Sequence, residues 1–142
     1  MLTEQLVIDA RSSLDALSSV VRAGIKVLIW TGDADYVCNW VGTMRVAEAV
    51  DWPGRTAFLG REMKTYTVNG EEKANFKTEE NLTYMAVRDA GHQMTWYRKY
   101  TNASSISRVR KEANDANFVY ADPEFSLQVF RQFMSTGELI ST

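Results

Sequence analysis

Residues 32–40 read GDADYVCNW, in which two aspartates, Asp33 and Asp35, stand one residue apart and precede Cys38, the only cysteine. The only histidine, His92, lies far downstream in DAGHQM. A carboxylate that holds one imidazole nitrogen fixes the tautomer of the ring and stabilises its protonated form. The other nitrogen is then free to take a proton from a hydroxyl nucleophile. Asp35 and His92 could supply that pair, and spacing alone leaves a solvated loop acid and an ordinary structural histidine as the alternatives. Cys38 with His92, oriented by Asp35, would instead make a thiol nucleophile, although most lone cysteines are simply buried. Asp33 and Asp35 could hold a divalent cation between phosphates. No glycine-rich phosphate loop or further carboxylate cluster accompanies them, so turn formation is the plainer role for Asp33. No metal and no cofactor is expected.

The elements around these residues follow from periodicity. Leu6, Ala10, Leu14, Leu17 and Val21 recur at helical spacing, with Ser12 or Ser13 as possible caps and Gly24 as a stop, which predicts a helix ending near Arg22. Ile25 to Trp30 is short, almost continuously apolar and rich in branched residues, the pattern of a strand covered on both faces of a parallel sheet. Its carboxyl end delivers the acid loop. Trp40 to Val50 reads as a helix capped by Asn39 and stopped by Trp52-Pro53-Gly54. In KTYTVNGEEKANF, Asn69-Gly70 separates two runs able to form strands, a hairpin signal. Leu82 to Val87 reads as a second buried strand that leads into His92, and Pro123 to Met134 as a helix with Gly137 beyond its end. In open α/β sheets functional groups collect beyond the carboxyl ends of strands, and both the acid loop and His92 follow strands in that way. They could therefore meet.

Composition narrows the function classes. At 142 residues, 45% hydrophobic and 24% charged, the chain fits one globular domain with a core, not a disordered segment. A formal net charge of -2 with scattered Lys and Arg gives no basic face, so no nucleic acid and no membrane partner is expected. No apolar run approaches the roughly 20 residues of a membrane span, and the N-terminus lacks the pattern of a signal peptide. Asn81 and Asn102 begin glycosylation sequons, which matter only in a secreted chain.

Long, ordered stretches carry more. VLIWTGDADYVCNWVG, YTVNGEEKANFKTEENLTYMAVRDAGH and PEFSLQVFRQFM together resemble the C-terminal part of the serine carboxypeptidases, the carboxypeptidase Y-like family and its fungal members above all. The resemblance spans nearly the whole chain except residues 99–121. It implies the C-terminal part of an α/β-hydrolase fold, with Asp35 as triad acid and His92 as triad base. It also implies a serine-type carboxypeptidase, a secreted or vacuolar setting and a peptide substrate. Cys38 matches the family's unpaired thiol beside the active site, and Asn39, Trp40, Gln93 and Met94 fall in the vicinity of the substrate pocket. The Gly-Glu-Ser-Tyr-x-Gly nucleophile elbow of the family is absent. Ser135, in Phe-Met-Ser-Thr-Gly, is the nearest approach to an elbow serine and has Phe133 where glycine is required. The expectation is that residues 1–142 form the C-terminal portion of a carboxypeptidase domain, with the N-terminal portion that carries the nucleophile as a partner. The alternative is a non-catalytic fragment or partner of a full-length homologue.

Residues 99–121, KYTNASSISRVRKEANDANFVYA, have no period and a composition unlike their flanks. Arg98-Lys99-Tyr100 can be encoded with the splice donor GTAAGT, Ala113-Asn114 or Ala116-Asn117 with a CTAAC branch point, and Tyr120-Ala121-Asp122 with a CAG acceptor. Joining the outer bases of codons 98 and 122 would give Trp-Tyr-His-Pro-Glu, close to the Tyr-Gln-Pro-Glu of the family, with the frame preserved. A retained intron is the expectation for this atypical insertion, with a surface loop or lid as the alternative.

Overall fold

The computed structural model describes residues 12–92 and 123–142. Within them the elements run α1 (Leu14–Arg22), β1 (Val27–Gly32), α2 (Trp40–Ala49), α3 (Arg55–Gly60), β2 (Lys64–Val68), β3 (Glu71–Glu79), β4 (Leu82–Val87) and α4 (Pro123–Ser135). The Leu6 and Ala10 turns expected ahead of α1, and the segment 99–121, lie outside the described residues. So do Gln93 and Met94.

Local chemistry sets most boundaries. The first N–H of α1, at Leu14, donates to Ser12 Oγ at 3.2 Å, so Ser12 and not Ser13 supplies the side-chain bond at that end. Beyond the other end Gly24 adopts φ +78° and the Ile25 N–H reaches back to the Val20 carbonyl at 3.3 Å. That backward bond spends Ile25 on closing the helix, and β1 begins at Val27, two residues later than the apolar run alone predicts. Asn39 caps α2 by accepting the Gly42 N–H at 2.9 Å on Oδ1. Asn69 and Gly70 have φ of 52° and 76°, the pair of left-handed residues that a tight hairpin turn needs, and they join β2 to β3. The six-residue α3, after Trp52-Pro53-Gly54, is an element that the sequence reading did not name.

The four strands form one sheet in the order β1-β4-β3-β2. β1 and β4 are parallel, with Gly32 beside Val87, while the hairpin strands are antiparallel to their neighbours. The parallel pairing makes the loops after β1 and β4 leave the sheet side by side. All six residues of β4 are buried, since it is central. Their alternation feeds two cores. Met85 and Val87 join Tyr66, Val68 and Phe76 under Phe125 and Val129 of α4. Leu82, Tyr84 and Ala86 join Val21, Ala47, Val50, Trp52 and Phe58 on the face covered by the first three helices. The result is a helix, sheet, helix sandwich.

The two edges of the sheet differ. Outside β2 the C-terminal tail pairs with it, the Thr142 N–H donating to Thr67 O at 3.0 Å and the Gly70 N–H to Thr142 O at 3.0 Å. β1 pairs with β4 alone among the described residues, and Val27 to Trp30 are only partly buried. This departs from the two-face burial expected of the strand, because only one of its sides has a neighbour. Among the described residues no helix is long and apolar enough to cross a membrane.

Candidate active site

The loop after β1 is folded tightly against the loop after β4. Gly32 makes this possible: a Cβ there would run into the Ala90 carbonyl and come within 2.6 Å of the Gly91 oxygen. The Asp33 N–H then donates to Val87 O at 2.9 Å and the Ala34 N–H to Ala90 O at 3.0 Å, stitching the loops together through the backbone. On the other side Thr31 Oγ1 donates to the Cys38 carbonyl at 2.7 Å, which folds the end of the acid loop back onto the strand.

Asp35 sits inside this fold with its side chain 4% exposed, whereas the ring of His92 is 64% exposed. Asp35 Oδ1 accepts the N–H groups of Val37 and Cys38 at 2.8 and 3.0 Å, and Oδ2 lies 2.9 Å from His92 Nδ1. Burial pushes the Asp35 carboxyl up, but the Cys38 N–H, the His92 ring and the Val37 N–H outweigh it, and the net direction is below the ordinary carboxylate value. An ionised, fixed acceptor on Nδ1 leaves Nε2 as the working nitrogen. Geometry of this kind can serve general acid–base chemistry at a group brought up to the exposed edge of the ring.

The other expected site residues divide. Cys38 is exposed and free, and its backbone serves both Asp35 and Thr31. Asn39 is engaged in capping α2. Trp40 opens α2, and its carbonyl accepts the Tyr84 hydroxyl at 2.8 Å, tying the helix start to β4. With Asp33, Met44, Met63, Asn75 and Ala86 it lines a cavity of about 340 Å³. Ser135 ends α4 and bonds to the Gln132 carbonyl, a helix-terminal role. Sequence reasoning assigned no part to Thr31 and Gly32 and treated Asp33 as a turn former.

Asp35, Cys38 and His92 each present one potential metal ligand atom within 4.8 Å of the others. Both Asp35 oxygens are committed, one to two N–H groups and one to the imidazole. That leaves a thiol and one ring nitrogen, fewer than the three or four protein ligands of zinc sites. The donor set suits orientation of the ring better than a metal.

Comparison with known proteins gives these residues a context. A family profile described as serine carboxypeptidase matches residues 4–111, a span that ends inside the atypical segment. Carboxypeptidase S1 of Penicillium janthinellum is 46% identical over 99 residues, covering 70% of this chain and 23% of that protein. Carboxypeptidase Y of Schizosaccharomyces pombe is 36% identical over 80 residues, covering 56% of this chain and 8% of its own length. Among solved structures, Kex1(delta)p, a prohormone-processing carboxypeptidase from Saccharomyces cerevisiae, superposes with a TM-score of 0.50 at 22% identity. That match covers 80% of this chain and 25% of the yeast chain. The chain thus spans about a quarter or less of the length of these relatives.

Proposed function

The chain belongs to the serine carboxypeptidase family and has the C-terminal part of an α/β-hydrolase fold, and on that premise we propose that it supplies the acid and base of a catalytic triad, Asp35 and His92, to a peptidase that releases C-terminal residues. The observation that carries this reading is the 2.9 Å contact between His92 Nδ1 and a buried Asp35 held by two backbone N–H groups.

In the proposed reaction His92 Nε2 takes the proton of a serine hydroxyl as its oxygen bonds to the scissile carbonyl carbon. The ring then gives that proton to the departing amine of the C-terminal residue, leaving an acyl ester. Water attacks the ester, again with the ring as base, and the serine is restored. Asp35 keeps the Nδ1 proton in place and stabilises the imidazolium formed in each half. The serine elbow is absent from these 142 residues, so sequence outside them supplies the nucleophile and is the partner of this chain. The β1 residues Val27 to Trp30, apolar and only partly buried, with a strand on one side alone among the described residues, support such a neighbour. A secreted or vacuolar setting follows from the same reading, and the substrate is a peptide with a free C-terminus.

The missing elbow also favours a second reading, a non-catalytic fragment or a partner of a full-length homologue. A serine-directed phosphonate distinguishes the chain from a self-sufficient enzyme: neither labelling nor turnover of a blocked dipeptide is expected, and stoichiometric labelling would overturn the need for an external serine. The tautomer of His92 tests the pair itself. Nitrogen NMR should find its proton on Nδ1 in the wild-type chain and mainly on Nε2 in Asp35→Asn; an Nε2 proton in both would refute the proposed roles.

A further inference from the structure

Asp33 is exposed and takes no part in the chemistry above. Its Oδ1 accepts the backbone N–H of Asp89 at 2.7 Å, a bond between residues 56 apart in sequence. A turn-forming aspartate bonds to its own next residues; this one bonds to the other loop. Asp89 itself has φ +53°, a left-handed conformation that a side-chain-bearing residue adopts at a cost and that surrounding structure must hold. His92 follows three residues later.

We propose that Asp33 is a positioning residue, which holds the Asp89 turn by its carboxylate and thereby sets the His92 ring onto Asp35. The inference rests on the reading of Asp35 and His92 as acid and base, and extends it to the residue that aligns them. Of the three bonds that stitch the loops, those from the N–H groups of Asp33 and Ala34 fix the chain on either side of Asp89, at Val87 and at Ala90. Only the carboxylate holds the N–H of Asp89 itself. Without it the left-handed residue between those two anchors is free to relax, and the path of the chain from Asp89 to the exposed ring of His92 shifts with it. A hydrogen bond of 2.9 Å tolerates little displacement before it is lost.

Burial raises the Asp33 carboxyl above its ordinary value, ahead of the Asp89 N–H bond that lowers it, the Asp89 charge that raises it and the Arg88 charge that lowers it. The position does not favour the charge. An acceptor oxygen suffices, and Asn should replace Asp33 where Ala cannot.

With a single histidine in the chain, nitrogen NMR reports one imidazole. Asp33→Ala should move the His92 proton from mainly Nδ1 to mainly Nε2, and Asp33→Asn should keep it on Nδ1. A purely structural role would lower the melting temperature without moving the tautomer. A folded Asp33→Ala chain with the wild-type tautomer overturns the proposal. Should the Ala variant not fold, amide exchange at Asp89 in the wild type decides: protection supports the bond, and exchange at the random-coil rate overturns it. Asp35→Asn separates the two layers of the argument. If it shifts the tautomer and Asp33→Ala does not, only the role of Asp33 fails; if it shifts nothing, the acid–base reading fails and this inference falls with it.

Discussion

Asp35 turns one oxygen to the backbone N–H groups of Val37 and Cys38 and the other to Nδ1 of His92 at 2.9 Å, so a single buried carboxylate both closes its own loop and orients a ring on the next. The loop closure is local. The contact with His92 depends on β1 and β4 ending side by side.

The two acids of this loop should respond oppositely to pH. Asp35 titrates lower in the folded chain than its ordinary 3.8, so its stabilising contribution is present above 3.8 and is lost as pH falls through the folded value. Asp33 titrates higher, so its contribution is present below 3.8 and is lost as pH rises through the folded value. Melting temperatures should therefore show Asp35→Asn below the wild type at pH 7 and Asp33→Asn at or above it. Both gaps should narrow toward pH 3. The same sign for the two variants at pH 7 would contradict this.

Gly32→Ala tests the close approach of the loops. The added methyl meets backbone carbonyls at Ala90 and Gly91, which cannot swing aside as a side chain would. A loss of about 3 kcal/mol in denaturant unfolding is expected, of the size seen for overpacked sites. A change under about 0.5 kcal/mol, as at unconstrained surface positions, would show that the loops separate easily.

The open side of β1 predicts self-association. A strand whose outer edge is unpaired among the described residues, with apolar neighbours such as Ile25, 55% exposed, invites pairing with another chain. Light scattering on the isolated chain should show concentration-dependent oligomers or aggregates. A monomer with a sharp cooperative melt would contradict it and favour an independently folded module.

What could be read from the sequence was local. Asn39 as a cap, Asn69-Gly70 as a hairpin turn and Leu82 to Val87 as a buried strand each depend on neighbours a few residues away, and the structure has all three. The six-residue α3 is too short for a period to emerge, and β1 starts late because Ile25 closes the preceding helix. Both Asp35 and His92 were placed at strand ends by pattern, but only the parallel register brings them within hydrogen-bond distance. The Asp33 carboxylate bonds to a backbone N–H far along the chain. Every residue but proline offers that donor, so no residue type announces it.

Residues 99–121 are expected to be absent from the mature message. Sequencing the transcript should find codon 98 joined to codon 122 in frame, reading Trp-Tyr-His-Pro-Glu. Genomic DNA without donor and acceptor bases at those codons would leave a genuine insertion.

The catalytic claim is tested most directly by transplantation. Residues 12–98 joined to 122–142, placed in carboxypeptidase S1 of Penicillium janthinellum in exchange for the corresponding segment, would receive a serine-bearing partner from a relative 46% identical over 99 residues. The account predicts a chimera that releases C-terminal residues from a blocked dipeptide. His92→Ala and Asp35→Asn should each reduce kcat by roughly 10³-fold or more while the protein stays folded. A chimera that works equally well without His92 would contradict it.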